Sequence, residues 1–275
     1  MGLLESIGSG LITNLLSYTI KKKFSKHTFN NEKPTEVNAI SKRLTQVLEL
    51  MNDGREEALT IAQLSQMFQF KKISKLEKYF LGQKEPSIEF LKEFSAKFAI
   101  NSKWLIQGQE EPFKFDQEHY SNCYDCIQKI HELNPTTIYF IRSDSICGET
   151  CILLEINEYH FLILNHSLHF SGQVGWGGSC ELASFRKLVM KLILEENFLT
   201  LGLVIPKRKF SDLYKGKIYP NTILKYKNGK IMHWHDDFTD IHNQRCGYQY
   251  HNKYDQNFKD AFRITKSHIE KYEEP

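Results

Sequence analysis

The chain has 275 residues, enough for two domains of ordinary size, and its hydrophobic and charged fractions of 41% and 25% are those of a folded globular protein. The formal net charge is only +3, so the composition excludes a protein that binds nucleic acid through a large overall positive charge. Any nucleic-acid binding must therefore depend on a local cluster of basic residues.

The first segment, Gly2 to Lys23, has apolar residues at helical spacing and places its three consecutive lysines after the apolar part. A secretory signal has the opposite order, with its positive charge first. The pattern predicts an amphipathic helix that is too polar to span a membrane. It could cover the chain's own core, pack on a second copy or lie on a membrane surface. Residues 24–36 are predicted to be a polar linker, so residues 1–36 form one helix-and-linker segment.

Residues 37–113 show the periodicity of five short helices. In the second, a cap-like Thr60 precedes apolar residues at helical spacing, and a short polar turn then leads to the third helix at Ile73. Gly82 ends this third helix, as a C-terminal glycine should. The apolar positions are, in chain order, Ile40, Leu44, Val47, Leu48 and Met51; Ile61, Leu64, Met67 and Phe68; Leu76, Tyr79 and Phe80; Phe90, Leu91, Phe94 and Phe98; and Trp104 and Leu105.

Two strings in this region carry a family resemblance. Leu81-Gly82-Gln83-Lys84-Glu85-Pro86-Ser87 resembles the loop after the recognition helix of phage-repressor-like (Xre-type) regulators, and Ile100-Asn101-Ser102-Lys103-Trp104-Leu105-Ile106-Gln107-Gly108 resembles the last helix of that domain. The resemblance covers a little over a quarter of the chain. It departs from the family pattern in the turn before Ile73, where Gln69 or Phe70 replaces the usual glycine. It implies a five-helix helix-turn-helix domain whose third helix enters the major groove of DNA.

Lysines are concentrated at this third helix. Five of them lie between Lys71 and Lys84, with only Glu77 and Glu85 as nearby acids. Such a cluster can neutralise several DNA phosphates, although a solvated helix face would have the same composition. The residues predicted to contact the groove or the phosphates are Lys71, Lys72, Ser74, Lys75 and Lys78.

Residues 114–275 are predicted to form an α+β domain with a mostly antiparallel sheet, which would sense a signal or hold a dimer together. A helix is expected over Tyr120–Leu133, after which the periodicity changes to that of strands. The later elements are strands at 137–141, 151–156, 159–164 and 167–171, a helix from about Cys180 to Glu196, strands at 200–205 and 223–226, a hairpin turn at Asn228-Gly229 leading into 230–234, and a helix over Tyr254–Glu270.

A glycine-rich stretch, Ser171 to Ser179, lies between the strands and the helix at Cys180. Backbone N–H groups approach a ligand closely where side chains are missing, so the stretch is a candidate anion or small-molecule site. Neither a phosphate-binding nor a dinucleotide-binding motif is present, and a tight turn is the alternative. The residues predicted to bind a ligand are Gly175, Trp176, Gly177 and Gly178.

Two groups of residues suggest metal chemistry only weakly. On a strand, His233, His235 and Asp237 would share one face and offer ligands suitable for zinc, manganese or iron, but no fourth ligand can be placed. Cys123 and Cys126 share one face of a predicted helix without a second ligand pair, which favours ordinary packing of free thiols in a reducing cytoplasm. No metal, no other cofactor and no catalytic residue is therefore predicted.

The sequence favours a cytoplasmic transcriptional regulator that binds double-stranded DNA through residues 37–113 and acts as a dimer, without enzymatic activity. Two alternatives stay open. In the first, the chain is an effector or interaction component of a phage-defence or toxin–antitoxin system, and its helix-turn-helix recognises a nucleic acid or a protein partner. In the second, it is a metal-dependent enzyme that uses the segment from His233 to His242.

Overall fold

The computed structural model describes residues 35–53, 55–113, 120–166, 168–224, 230–242 and 253–272. The predicted N-terminal amphipathic helix and the predicted turn at Asn228-Gly229 lie outside these residues. Within the described ranges, no helix combines the length and the apolar character that crossing a bilayer requires.

Five short helices come first in the described chain. They are α1 (Glu36–Asn52), α2 (Ile61–Met67), α3 (Ile73–Phe80), α4 (Ile88–Lys97) and α5 (Ser102–Gln107). Side chains cap most of their N-termini: Thr60 and Gln63 form a reciprocal capping box on α2, and Ser87 accepts the Phe90 N–H on α4. The five helices predicted over residues 37–113 are confirmed, and their inward stripes are the predicted ones.

In the turn between α2 and α3, Gln69 adopts a backbone conformation that usually requires glycine. This residue has a φ of 54°, the left-handed conformation, and the Phe70 N–H donates to the Ser65 carbonyl at 2.8 Å. At the end of α3, Gly82 has a φ of 67° and makes the same kind of turn without a side-chain penalty. Gln69 therefore adopts a left-handed backbone conformation that glycine would adopt without strain, and this strain lowers the free energy of unfolding by about 1 kcal/mol.

The rest of the chain is built around a five-stranded sheet in the order β3-β2-β1-β4-β5. The strands are β1 (Thr137–Ser143), β2 (Thr150–Asn157), β3 (His160–Leu164), β4 (Thr200–Ile205) and β5 (Lys230–Met232). The central strand β1 pairs in parallel with β4, and the other three strand pairings are antiparallel. The α+β class and the mostly antiparallel sheet are thus confirmed.

Helices surround this sheet, and several differ from the sequence predictions. They are a 3-10 turn (Cys123–Asp125), α6 (Cys126–Leu133), α7 (Trp176–Met190) with a π-helical turn (Lys191–Glu195), α8 (Lys207–Tyr214), α9 (Asn221–Leu224), α10 (Trp234–Thr239) and α11 (Gln256–Tyr272). The strand predicted at 223–226 is wrong, because residues up to Leu224 are helical. The strand predicted at 167–171 is reduced to one isolated bridge between Glu149 and His169.

Alternating side chains of the sheet contribute to two apolar clusters. Ile138, Phe140, Ile152 and Leu154 pack with α7, α10 and α11 on one face. Ile141, Cys151, Leu153, Phe161 and Ile163 belong to the cluster on the other face, which also contains the buried residues of α1 to α5. This second cluster is continuous from Ile40 to Ile223, so the helices and the sheet share one core.

Arg55 joins the five helices to the tip of the β2–β3 hairpin. Its side chain is only 4% exposed, and its guanidinium lies 4.9 Å from the centre of the Tyr159 ring while pairing with Glu158 at 3.2 Å. Phe98 at the end of α4 packs edge-on against the same tyrosine, with ring centres 6.0 Å apart. The Phe113 N–H donates to the Gly216 carbonyl at 3.0 Å. The orientation of the helices on the sheet is therefore fixed by polar and aromatic contacts together.

Candidate nucleic-acid interface

Helix α3 divides cleanly into a buried and an exposed side. Leu76, Tyr79 and Phe80 are buried. With about 3.6 residues per turn, Ser74 and Lys78 lie one turn apart on the opposite side, and both are exposed. The helix therefore offers an outward stripe in which neither residue is needed for packing.

An aromatic cluster holds α3 in place from beneath. Phe70 in the preceding turn packs edge-on against Tyr79, with ring centres 6.1 Å apart, and against Phe90 of α4 at 5.6 Å. Tyr79 and Phe90 are themselves 5.3 Å apart. Because these rings come from the turn, from α3 and from α4, packing holds α3 against α4 without the exposed residues.

Three of the four predicted lysines flank the outward stripe, and the fourth, Lys78, is part of it. Lys71 and Lys72 are exposed where α3 begins, and Lys72 is its N-cap residue. Lys75 lies on one flank, with its Nζ 5.7 Å from the centre of the Phe70 ring. No acidic residue of the described chain forms an ion pair with any of the four. Their positive charge is thus not neutralised within the described parts of the molecule.

Sequence reasoning missed two exposed residues at this surface. Ile73, in the first turn of α3, is 52% exposed, although the sequence pattern predicts only that the helix begins there. Helical spacing gives no signal of this exposure, because Leu76 and Phe80 follow Ile73 at three and seven residues, the spacing of one helix face. Gln69 is also exposed, and its left-handed backbone directs the chain into α3. An apolar side chain beside polar ones is suited to the methyl group of thymine.

The glycine-rich stretch has a different structure from the predicted loop. Helix α7 begins at Trp176 with Gly175 as its N-cap, so Gly177 and Gly178 belong to its first turn. The predicted start near Cys180 is wrong. Trp176 is 61% exposed and packs against Tyr272 and His268 of α11, with ring centres 4.9 and 5.3 Å away. A ligand site at these four residues stays a prediction.

The segment from His233 also departs from its prediction, because Trp234–Thr239 forms α10 instead of a strand. His233 is exposed and His235 is buried, although their ring centres are only 6.5 Å apart. The Thr200 hydroxyl lies 3.0 Å from Nε2 of His235, and Tyr254 donates a hydrogen bond to Asp237. Burial lowers the pKa of His235 to about 3, with a smaller contribution from His233.

The described residues contain no group of three or more histidine, cysteine, aspartate or glutamate side chains that could hold a metal ion. Cys123 and Cys126 are both buried. The Sγ of Cys123 lies 3.9 Å from Nδ1 of His166, and burial raises the pKa of this thiol well above its usual value. The predicted packing role of the Cys-x-x-Cys pair is consistent with this position.

Comparison of the chain with protein-family models, with curated proteins and with solved structures gives no match. The functional argument therefore depends on the geometry of the chain itself.

Proposed function

We propose that the protein is a sequence-specific DNA-binding transcriptional regulator whose α2 and α3 form a helix-turn-helix of the phage-repressor (Xre) type. The observation that carries the proposal is the outer surface of α3, where exposed lysines without acidic partners flank the stripe of Ser74 and Lys78. A structural helix face would gain stability from ion pairs, whereas a face that binds phosphates keeps its lysines free for them.

The dimensions of α3 fit this role. An α-helix with its side chains is about 10–12 Å across, and the major groove of DNA is about 12 Å wide. With α3 in the groove, Ser74 and Lys78 face the base edges and Ile73 lies near thymine methyl groups. Lys71 and Lys72 lie at the positive end of the helix dipole, where they contact phosphate oxygens.

One eight-residue helix buries too little surface for tight binding alone. We therefore propose that two copies bind two half-sites, with residues 114–275 holding the copies together or sensing a signal. The cytoplasm is the compartment in which such a regulator acts.

The test is selection of bound duplexes from a random-sequence DNA library by the intact protein, followed by titration of the enriched duplex at several salt concentrations. Lys71→Ala with Lys72→Ala should weaken binding to all sequences alike and reduce the salt slope by roughly one unit per lost phosphate contact. Ser74→Ala or Lys78→Ala should also relax the preference at individual base positions.

Lys207→Ala with Lys266→Ala is the matched control, because both lysines are exposed or half-exposed and lie in the sheet region. This control should keep the affinity and the salt slope of the unmodified protein. A library without enrichment, or equal losses in the control and in Lys71→Ala with Lys72→Ala, would refute the proposal.

A further inference from the structure

A cleft of about 860 Å³ lies between the five-helix region and the sheet. One wall is formed by α4, α5 and the following chain up to Phe113, and the other by β3, the end of α6 and Lys215 after α8. Clefts that bind small molecules have volumes of roughly 300–1,000 Å³ and often lie between structural units. This cleft has both properties, and it is separate from the exposed face of α3.

Helix α4 presents one continuous stripe to the cleft. Lys92, Ser95 and Ala96 line it at the three- and four-residue spacing of one helix face, and Ala99 lines it just beyond the end of the helix, where its φ is 51°. The two alanines leave space where larger side chains would fill the cleft. The remaining apolar lining comes from Ile100, Phe113, Leu133 and Leu162.

The charged residues of the cleft do not cancel one another. Glu110 accepts a hydrogen bond from Asn101 and pairs with Lys103 at 3.5 Å. Glu111 pairs at 3.7 Å with Lys217, which is outside the lining. Lys92 and Lys215 have no acidic partner among the described residues, so the cleft has two uncompensated positive charges beside apolar walls.

A buried hydroxyl and a half-buried imidazole lie at the walls of the cleft. Ser95 lines the cleft and is only 4% exposed, yet its Oγ has no hydrogen-bond partner. Buried polar groups are nearly always paired, because an unpaired one costs about 1–3 kcal/mol. The half-buried His160 lies in the opposite wall, where burial lowers its pKa and so favours the neutral ring. A ligand in the cleft would meet the imidazole of His160, whereas the Ser95 hydroxyl is enclosed and does not reach the cleft.

We propose that this cleft binds an amphipathic anion, a small molecule with an apolar body and one carboxylate or phosphate group. Lys92 and Lys215 neutralise the anionic group, and Ala96 and Ala99 contact the apolar body. The assignment does not rest on DNA binding by α3, and the test below contains no DNA.

The test uses the full chain and the fluorescent aromatic anion anilinonaphthalene sulfonate, displaced by decanoate or by the uncharged decanol. The probe should bind saturably, and decanoate should displace it at concentrations about tenfold lower than decanol, because one charge-assisted contact is worth roughly that factor. Replacing both lysines, Lys92→Gln with Lys215→Gln, should weaken decanoate binding by about tenfold and leave decanol nearly unchanged.

Two further variants separate ligand binding from folding. Ser95→Ala should leave decanoate binding unchanged, because the Ser95 hydroxyl is enclosed, while the melting temperature stays equal or rises because the variant removes an unpaired buried hydroxyl. Ala96→Phe should fill the cleft and abolish saturable binding. Lys97→Gln with Lys266→Gln removes the same charge elsewhere and should bind decanoate like the unmodified chain.

Equal decanoate affinity in the unmodified chain and in Lys92→Gln with Lys215→Gln would overturn the proposal, as would an equal loss in the control pair. Probe binding that does not saturate, or that survives Ala96→Phe unchanged, would also overturn it. None of these results bears on DNA binding by α3, which is measured separately.

Discussion

Helices α3 and α10 are both short and rich in polar residues, but they use those residues in opposite ways. In α3 the core receives Leu76, Tyr79 and Phe80, and the charged side chains remain outside. In α10 the core receives His235 and Asp237 together with the aromatic residues. Polar residues in a sequence therefore indicate a binding surface only when the apolar residues beside them account for the packing.

The two helices should also differ in how substitutions change the free energy of unfolding. His235 is 1% exposed, packs 5.0 Å from the Phe140 ring and is bonded to Thr200, so its removal disturbs the core. Lys75 and Lys78 contribute no buried surface that the core requires. Substitutions in α10 should change the free energy of unfolding, whereas substitutions in α3 should change binding.

The largest expected effect is that of His235→Ala. Removing the ring leaves a cavity beside Phe140 and deprives the Thr200 hydroxyl of its partner, so the free energy of unfolding should fall by about 3 kcal/mol. Urea denaturation followed by circular dichroism measures this. His233→Ala is the matched control, since His233 is exposed, and should fall by less than about 0.5 kcal/mol. Equal losses of unfolding free energy in both variants would contradict the conclusion that His235, unlike His233, belongs to the core.

A smaller effect concerns pH. Because the folded-state pKa of His235 is lowered to about 3 from 6.5, the unfolded chain binds the proton first on acidification. The stability that the neutral ring contributes is therefore complete above pH 6.5 and is lost as the pH falls towards 3, by at most about 1.4 kcal/mol per pH unit.

His235→Asn, which cannot titrate, isolates this contribution. The difference in unfolding free energy between the unmodified chain and the variant should shrink steadily between pH 6.5 and 4.5, the upper bound being the ordinary pKa of histidine and the lower roughly two units below it. A difference that stays constant with pH would contradict the assignment of a buried neutral His235.

The smallest expected effect is that of Lys75→Ala with Lys78→Ala on folding. Both side chains are exposed, so the free energy of unfolding should change by no more than about 0.5 kcal/mol. The same denaturation experiment measures it. A loss of about 2 kcal/mol would mean that α3 depends on its lysines for packing, and the contrast with α10 would fail.

Elements with one regular apolar period could be predicted from the sequence. The limits of β4 agree with the predicted 200–205, and α3 has its buried residues where the period placed them. Both elements are stabilised mainly by their own apolar pattern against a neighbouring surface. The local sequence therefore contains most of the information that determines them.

The segment at α10 shows how an apolar pattern can be overlooked. His233, His235 and Asp237 alternate with the two-residue period that is typical of a strand. Trp234, Phe238 and Ile241, all buried, follow the helical spacing of four and then three residues. Weighing the large apolar side chains above the polar ones would have given the observed helix.

The cleft could not be predicted, because its residues are distant in the sequence. Lys92 and Lys215 approach the same space only after α4 packs beside β3. The same is true of Arg55 and Tyr159, whose contact brings the two parts together. Local periodicity contains no information about such pairs.

The apolar cluster from Ile40 to Ile223 makes the helices and the sheet a single unit of unfolding. When Phe98 leaves Tyr159, Arg55 also loses its aromatic partner and its ion pair with Glu158, so partial separation costs more than the loss of apolar contact alone. Heat should therefore melt both parts in one cooperative transition. A substitution that destabilises the sheet therefore also lowers the fraction of chains in which α3 is folded, because both parts unfold in the same equilibrium.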